Sequence, residues 1–237
     1  MKKALKKIWE WIGKLCMPRT QWRYTVSQSL ALALSDKYGM EFKVIRNVPI
    51  RTFPAVKETR QKIIWYQGAI NYGRGLECMM ECMHELKDYS FYLAGDGDII
   101  SDLQQKIVES GLEARVHFLG RLSNLQLSEY SALAHVGIDL LESASKSYYL
   151  SLSNKTFDYI QAGLPAIQMN FPEYREIHRQ YKVGVLIEKV AKENILNAIR
   201  QLEDSGFYEN CILACKEASK IFNWEREEKE LIELYEK

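Results

Sequence analysis

Between Lys62 and Glu188 the chain alternates short, nearly unbroken apolar runs with longer stretches in which apolar residues return every three or four positions. The runs IIWYQ, SFYLAG, VHFLG, VGIDLLE, LPAIQM and GVLIE lack the every-other pattern of a half-exposed strand, which predicts strands covered on both faces. The intervening stretches predict helices at about 73–87, 99–110, 123–133, 154–162 and 173–180, and three more follow near 190–203, 207–220 and 224–235. Alternation of this kind predicts the α/β class: a doubly wound, Rossmann-like parallel sheet. Such sheets bind ligands at the carboxyl ends of their strands.

The first sixty residues follow a different pattern. Leu5, Ile8, Trp9, Ile12, Leu15 and Cys16 fall on one side of a helix at residues 3–17, with lysines opposite. RYTVS reads as a short strand, Ser27 as the N-cap of a helix to about Lys37, and FKVIRNVP as a second strand ended by Pro49. Residues 51–60, with Pro54 and mixed charges, read as a linker.

At 47% apolar and 27% charged residues the composition is that of a globular domain, and it does not change this picture. The net charge of +1 gives no electrostatic case for nucleic acid as a partner. Five cysteines are an odd count, Glu10 and Lys14 break what would be the apolar core of a cleavable signal, and no run approaches a membrane span. These features suggest a reducing cytoplasm. The lysine-rich first helix has two readings: packing on the domain, or peripheral contact of Lys2, Lys3, Lys6 and Lys7 with anionic lipid at the inner face of the membrane.

The segment SLSNKTFDYIQAGLPAIQ, residues 151–168, carries the densest chemistry. Ser151, Ser153 and Asn154 are candidate caps for a helix whose first amides attract anions, and Lys155 adds what reads as a mobile positive charge. One turn further on, Asp158 stands where a carboxylate accepts hydrogen bonds from a ribose diol. Gly163 ends the helix. These residues together suggest a nucleoside-diphosphate pocket.

Three other clusters each admit a plainer reading beside the functional one. In GAINYGRG, Gly68, Gly73 and Gly75 let backbone approach an anion and Arg74 offers a planar fork for phosphate, although the spacing fits neither the triphosphatase loop nor the dinucleotide fingerprint; a tight turn with a solvated arginine is the alternative. Asp96 and Asp98 flank Gly97 and suit a divalent cation, or more plainly a turn whose aspartate caps the next helix; Gly95 and Gly97 also bring backbone near a ligand. Cys78, Cys82, Cys211 and Cys215 are spaced for core-facing helical stripes rather than for zinc, and Met79, Met80 and Met83 read as filler beside them. No histidine is grouped with a nucleophile and an acid, and His117 reads as structural.

Taken in order, TVSQSL and VIRNVP, YQG followed by GRGLE, YLAGDGD, VHFLGRL and NKTFDYIQAGLPAI resemble the C-terminal, donor-binding half of group 1 (family 4-like) glycosyltransferases, enzymes with the two-domain fold called GT-B. The resemblance implies transfer of a hexose-type sugar from a UDP- or GDP-type nucleotide sugar to a glycan or lipid-linked acceptor in cell-surface polysaccharide synthesis, with retention of configuration and no metal or other cofactor. It implies that Arg74 contacts the donor diphosphate, with Lys155 near phosphate, and that these two are the catalytic cations. It implies further that Asp158 holds the ribose, that Gly120 and Arg121 lie by the base, and that Gly68, Gly73, Gly95, Gly97, Ser153 and Asn154 complete donor binding.

The chain also departs from the family pattern. Leu150 stands eight positions before Asp158, in place of the acid that commonly touches the sugar; Glu142 is a candidate substitute. Ala69 stands near the position of a second diphosphate-binding arginine. Set against the two-domain pattern, the sequence is expected to lack most of the acceptor-binding half, and the resemblance implies a division into residues 1–50 (a remnant of the N-terminal acceptor domain with its linker), 51–222 (the nucleotide-sugar domain) and 223–237 (a C-terminal helix). Two other readings stay open: a nucleotide-sugar-binding module that needs a separate acceptor domain for catalysis, and an unrelated doubly wound protein with a metal at Asp96 and Asp98.

Overall fold

Six parallel strands form the sheet in the computed structural model, which describes residues 2–51, 60–142 and 146–236. The inner stretch of the predicted linker, 52–59, and the side chains of Lys2, Lys3 and Lys6 lie outside the described residues. The strands are β3 (Gln61–Gln67), β4 (Ser90–Ala94), β5 (Val116–Gly120), β6 (Ala134–Asp139), β7 (Ala166–Met169) and β8 (Gly184–Ile187), and they lie side by side in the order β5-β4-β3-β6-β7-β8. The chain winds outward from β3 to β5, then returns to β6 on the other side of β3. Order therefore reverses between β3 and β6, and a doubly wound sheet opens a ligand crevice at such a reversal.

The helices between strands are α3 (Leu76–Cys82), α4 (Ile100–Glu109), α5 (Asn124–Leu133), α6 (Lys146–Tyr149), α7 (Asn154–Gln161) and α8 (Pro172–Gln180), followed by α9 (Lys192–Glu203), α10 (Ser205–Ser219) and α11 (Trp224–Tyr235). Both faces of the sheet are buried, as the unbroken apolar runs require. Ile64 and Tyr66 enter the larger core, with Met79, Phe91 and Ile138, while their neighbours Ile63 and Trp65 enter the smaller one, with Tyr159 and Leu164. The cysteines at 82, 211 and 215 are buried free thiols, Cys78 is half-buried, and His117 packs edge-on against Tyr92.

Most elements fall within two or three residues of their predicted bounds. The first helix of the sheet domain does not, beginning at Leu76 rather than at residue 73 and ending at Cys82 rather than 87. Gly73 and Gly75 both take positive φ (78° and 68°), which no continuing right-handed helix allows. Gly75 also lies so close to Leu140 that an added Cβ would sit 2.6 Å from that side chain's Cβ. The glycines thus form the turn that presses α3 onto the end of β6. α6 was not predicted, its four residues being too few to show a period.

α7 ends as its sequence predicts. Gly163, at φ 62°, donates to Ile160, and Leu164 donates to Tyr159 at 2.8 Å, the paired bonds of a Schellman cap. Arg60 secures the same corner. Its guanidinium donates to the carbonyls of Ser131, Ala134, Ala162 and Gly163 at 2.8–3.0 Å, so it ties the ends of α5 and α7 to the start of the sheet.

The N-terminal part comprises α1 (Lys2–Cys16), β1 (Tyr24–Thr25), α2 (Gln28–Tyr38) and β2 (Lys43–Val44), with β1 and β2 paired in parallel. Ser27 caps α2 as predicted, accepting from the Leu30 amide. Two buried acids attach this part to the rest: Glu173 of α8 accepts from the Ser29 amide at 2.5 Å, and Glu227 of α11 accepts from the Arg46 amide at 2.7 Å. α1 meets this frame where Gly13 lies against Tyr38, while Leu5, Ile8, Trp9, Trp11 and Leu15 are exposed.

Candidate functional site

A cavity of about 490 Å³ opens over the carboxyl ends of β3 and β4 and the start of α7, at the reversal of strand order. Of the residues predicted from sequence, Gly68, Arg74, Gly95, Arg121, Ser153, Asn154, Lys155 and Asp158 line it. Gly73, Gly97 and Gly120 do not line it, and each shapes backbone nearby. The Gly73 carbonyl accepts from the Glu142 amide at 3.0 Å, and that of Gly120 from the Gly95 amide at 2.8 Å. Gly97 packs where a Cβ would come within 2.1 Å of the Ile70 carbonyl oxygen. Gly95 does both jobs: it lines the cavity, and a Cβ there would overlap the Gly68 carbonyl oxygen at 1.9 Å.

α7 presents its amino end to this cavity. Ser153 occupies the N-cap position, but its hydroxyl makes no capping bond, and Ser151 bonds to the Tyr148 carbonyl instead. Capping by these serines, expected from sequence, therefore does not occur. The first turn keeps the partial positive charge of an uncapped helix start beside Lys155.

Lys155 is not the mobile charge its position suggested. Its side chain is buried, with Nζ 3.1 Å from Asp139 Oδ1 and 4.9 Å from the centre of the Tyr66 ring. The Tyr66 hydroxyl, donating to the Ala69 carbonyl at 2.6 Å, holds that ring in place. Arg74 lies over Tyr148, with its guanidinium carbon 5.2 Å from the ring centre, and its buried Nε has no hydrogen-bond partner among the described residues. The geometry sets a planar cation beside the Gly68 turn with donors to spare.

Asp158 accepts from Gln67 Nε2 at 2.7 Å. Gln67 is fixed in turn, because its Oε1 accepts from Trp65 Nε1 at 3.0 Å and from the Ser131 hydroxyl. Burial raises the Asp158 pKa to about 6, against the pull of Lys155 and Gln67 toward ionisation. A second cavity, of about 440 Å³, shares Gln67, Leu127, Asn154 and Asp158 with the first and continues along α5 and α7 toward Asn47 and Ile50. Asp158 thus stands between a cationic cavity and one lined by amide, hydroxyl and apolar groups.

Arg121 is at the rim, ion-paired with Asp96 at 3.0 Å. The expected cap by an aspartate of the Asp96-Gly97-Asp98 turn is not formed: α4 starts from Ile99 without a side-chain cap, Asp96 accepts from Gly97, and the Asp98 amide donates to Asn71. Among the described residues no group of three or more His, Cys, Asp or Glu side chains is placed to hold a metal ion. Leu150 meets the N-terminal part through its carbonyl, which accepts from Ser27, and Glu142 is exposed with its amide tied to Gly73.

Gln67, Tyr66, Tyr148 and Asp139 belong to the site and were not found from sequence. Asp139 had a signal: a charge within the apolar run VGIDLLE is buried only with a partner. Gln67 and Tyr66 had none, since strand ends commonly carry such residues, and Tyr148 lies in α6, which is too short to show a pattern.

Residues 61–205 match the family model described as glycosyl transferases group 1. No curated protein matches the sequence. Among solved structures, the fold is similar to that of the pneumococcal O-GlcNAc transferase GtfA in complex with UDP and GlcNAc (TM-score 0.79, 16% identity, 95% of this chain and 47% of that one). It is equally similar to Anabaena Alr3699/HepE in complex with UDP and glucose (TM-score 0.79, 16% identity, 96% and 66%). A glycosyltransferase from Rickettsia africae ESF-5 is close behind (TM-score 0.77, 13% identity, 95% and 65%). The chain spans between about half and two thirds of the length of these structures.

Proposed function

Because this chain belongs to the group 1 glycosyltransferases, with the GT-B type of Rossmann-like fold, we propose that its cavity binds the donor nucleotide sugar, of the UDP or GDP type. The observation that carries this reading is the convergence of Arg74, Lys155 and the uncapped start of α7 on one cavity at the strand reversal. A diphosphate needs that combination of cations and amides. Asp158, presented by Gln67, accepts from the ribose hydroxyls, and the base lies toward Gly120 and Arg121. Gly68, Gly73, Gly95, Gly97, Ser153 and Asn154 complete the donor site as lining or as backbone support.

In this reading the chain supplies stabilisation of the leaving diphosphate. Arg74 and Lys155 face the charge that develops as the sugar–phosphate bond breaks, and preorganised donors of this kind contribute on the order of 3 kcal/mol each. The sugar, of hexose type, passes with retention of configuration to a glycan or lipid-linked acceptor in cell-surface polysaccharide synthesis. No metal takes part, since the cations of the chain fill that role. Leu150 offers no carboxylate to the sugar.

A second reading is favoured by the coverage of 47% of the GtfA chain: this polypeptide binds the donor, and transfer needs a separate acceptor lobe. Residues 1–50 then form the edge of that lobe with its linker, 51–222 the donor domain, and 223–237 the helix that returns to the N-terminal part. The exposed apolar residues Trp9, Trp11, Trp22 and Tyr24 would pack against the lobe. No helix among the described residues is long and apolar enough to cross a membrane, and the reading puts the protein in the cytoplasm with α1 available for peripheral membrane contact. Donor hydrolysis and transfer, assayed with and without an acceptor-lobe polypeptide and with and without a chelator, test these readings. Loss of nucleotide binding on chelation would refute the metal-free mechanism.

A further inference from the structure

Asp139 closes β6 and is fully buried between the core residues Ile138 and Leu140. Three donors converge on it. Oδ1 accepts from Lys155 Nζ at 3.1 Å, while Oδ2 accepts from the Tyr174 hydroxyl at 2.9 Å and the Thr156 hydroxyl at 3.2 Å. Both hydroxyls give their hydrogens to the carboxylate, so their oxygens accept from elsewhere: Tyr174 from the Ser153 amide, and Thr156 from the Gln168 side-chain amide at 2.9 Å. Gln168 Oε1 meets His178 Nε2 at 2.9 Å, which makes that ring nitrogen the donor. From α8 through β7 to α7, each hydrogen in the chain points toward Asp139. Asp139 is thus the acceptor on which all three donors end.

The consequence falls on Lys155. A lone ammonium buried this deeply tends to lose its charge or to leave, because desolvation disfavours the charged form. Asp139 supplies the counter-charge and keeps Nζ against the Gly68 turn, where a Cβ added at Gly68 would lie 3.7 Å away. Of the three hydrogens on an ammonium, Asp139 engages one.

On the donor-site reading above, we infer that Asp139 is a positioning residue: through its ion pair with Lys155 and its bonds to Thr156 and Tyr174 it holds the ammonium charged at the start of α7, where a diphosphate oxygen binds. The carboxylate does not itself touch the nucleotide.

Calorimetric titration of UDP and of uridine into the native chain, Asp139→Asn, Asp139→Glu, Lys155→Met and the Asp139→Asn/Lys155→Met pair tests this. Asparagine puts an amide NH2 among three donors, and UDP affinity is expected to fall about tenfold while uridine affinity stays within about twofold, since uridine has no phosphate for Lys155 to meet. Asp139→Glu, which keeps the charge, recovers part of the loss. In the Lys155→Met background Asp139→Asn costs nothing further, because the group it acts through is gone. Equal losses for UDP and uridine, additive losses in the pair, or tighter UDP binding by Asp139→Asn would overturn the inference. Should Asp139→Asn fail to fold, Asp139→Leu/Lys155→Met, which replaces both buried charges with apolar groups, is expected to match Lys155→Met in UDP affinity, and a further loss would overturn it. Unchanged UDP affinity in Lys155→Met would instead sink the donor-site role of the lysine, and this inference with it.

Discussion

Asp158→Asn should make the protein more stable and worse at binding nucleotide. The carboxyl titrates at about 6 against 3.8 for a free aspartate, chiefly through burial. About two units at 1.36 kcal/mol each mean that ionised Asp158 costs the fold ~3 kcal/mol above pH 6. The native state keeps this proton to higher pH than the unfolded chain does, so between about pH 4 and pH 6 it binds more protons and stability falls as pH rises. Asparagine keeps the shape and still accepts the Gln67 hydrogen, but carries no charge. Asp158 lines two open cavities, and water there offsets part of the cost, so the expected gain at pH 8 is about 1–3 kcal/mol. For a chain of this size that is a rise of roughly 3–10 °C in Tm. Near pH 4, where the native carboxyl is protonated too, the gain should shrink toward zero. Urea unfolding of both proteins at pH 4, 6 and 8, with UDP titrations at pH 8, measures both effects; UDP affinity should drop about tenfold with the ribose acceptor weakened. A variant no more stable than the native chain at pH 8, or equally stabilised at pH 4, would refute the reasoning.

Arg60→Met leaves four helix-end and strand carbonyls without their shared donor and should destabilise by about 3–5 kcal/mol in urea unfolding. Gly95→Ala drives a Cβ into the Gly68 carbonyl at 1.9 Å, and should cost at least ~2 kcal/mol and abolish the UDP-induced rise in Tm. Burial lowers the His178 pKa to about 4, so its contribution is complete above the unfolded value of 6.5 and is lost as pH falls toward 4. His178→Gln should flatten that acid limb, which circular dichroism melts between pH 7 and pH 4 would detect.

The order of elements was legible because most strands of the main sheet are unbroken apolar runs and most of its longer helices repeat an apolar stripe, signals contained within ten or so residues. Breaks in that order came where backbone conformation overrode side-chain pattern. Gly73 and Gly75, in the left-handed region, delayed α3 by three residues relative to its apolar period. The site was legible in part. Arg74, Lys155 and Asp158 were singled out for their chemistry beside glycines and a helix start, and they line one cavity. Their partners were hidden by distance along the chain: Gln67 lies 91 residues from Asp158, and Asp139 lies 16 from Lys155. Local spacing therefore suggested a mobile lysine where the fold pins one. The caps expected from Ser153 and from an aspartate of the Asp96-Gly97-Asp98 turn did not form: the Ser153 hydroxyl makes no bond to the start of α7, and Asp96 turns to Arg121 instead.

The proposed function rests on binding of a nucleoside diphosphate between Arg74, Lys155 and Asp158. Calorimetric titration of UDP, in the presence of a chelator, into the native chain and into Arg74→Ala tests it most directly. One site per chain is expected in the native protein, and an affinity at least about tenfold weaker in the variant, which keeps the native melting curve. No binding by the native chain, or equal affinity in Arg74→Ala, would contradict it.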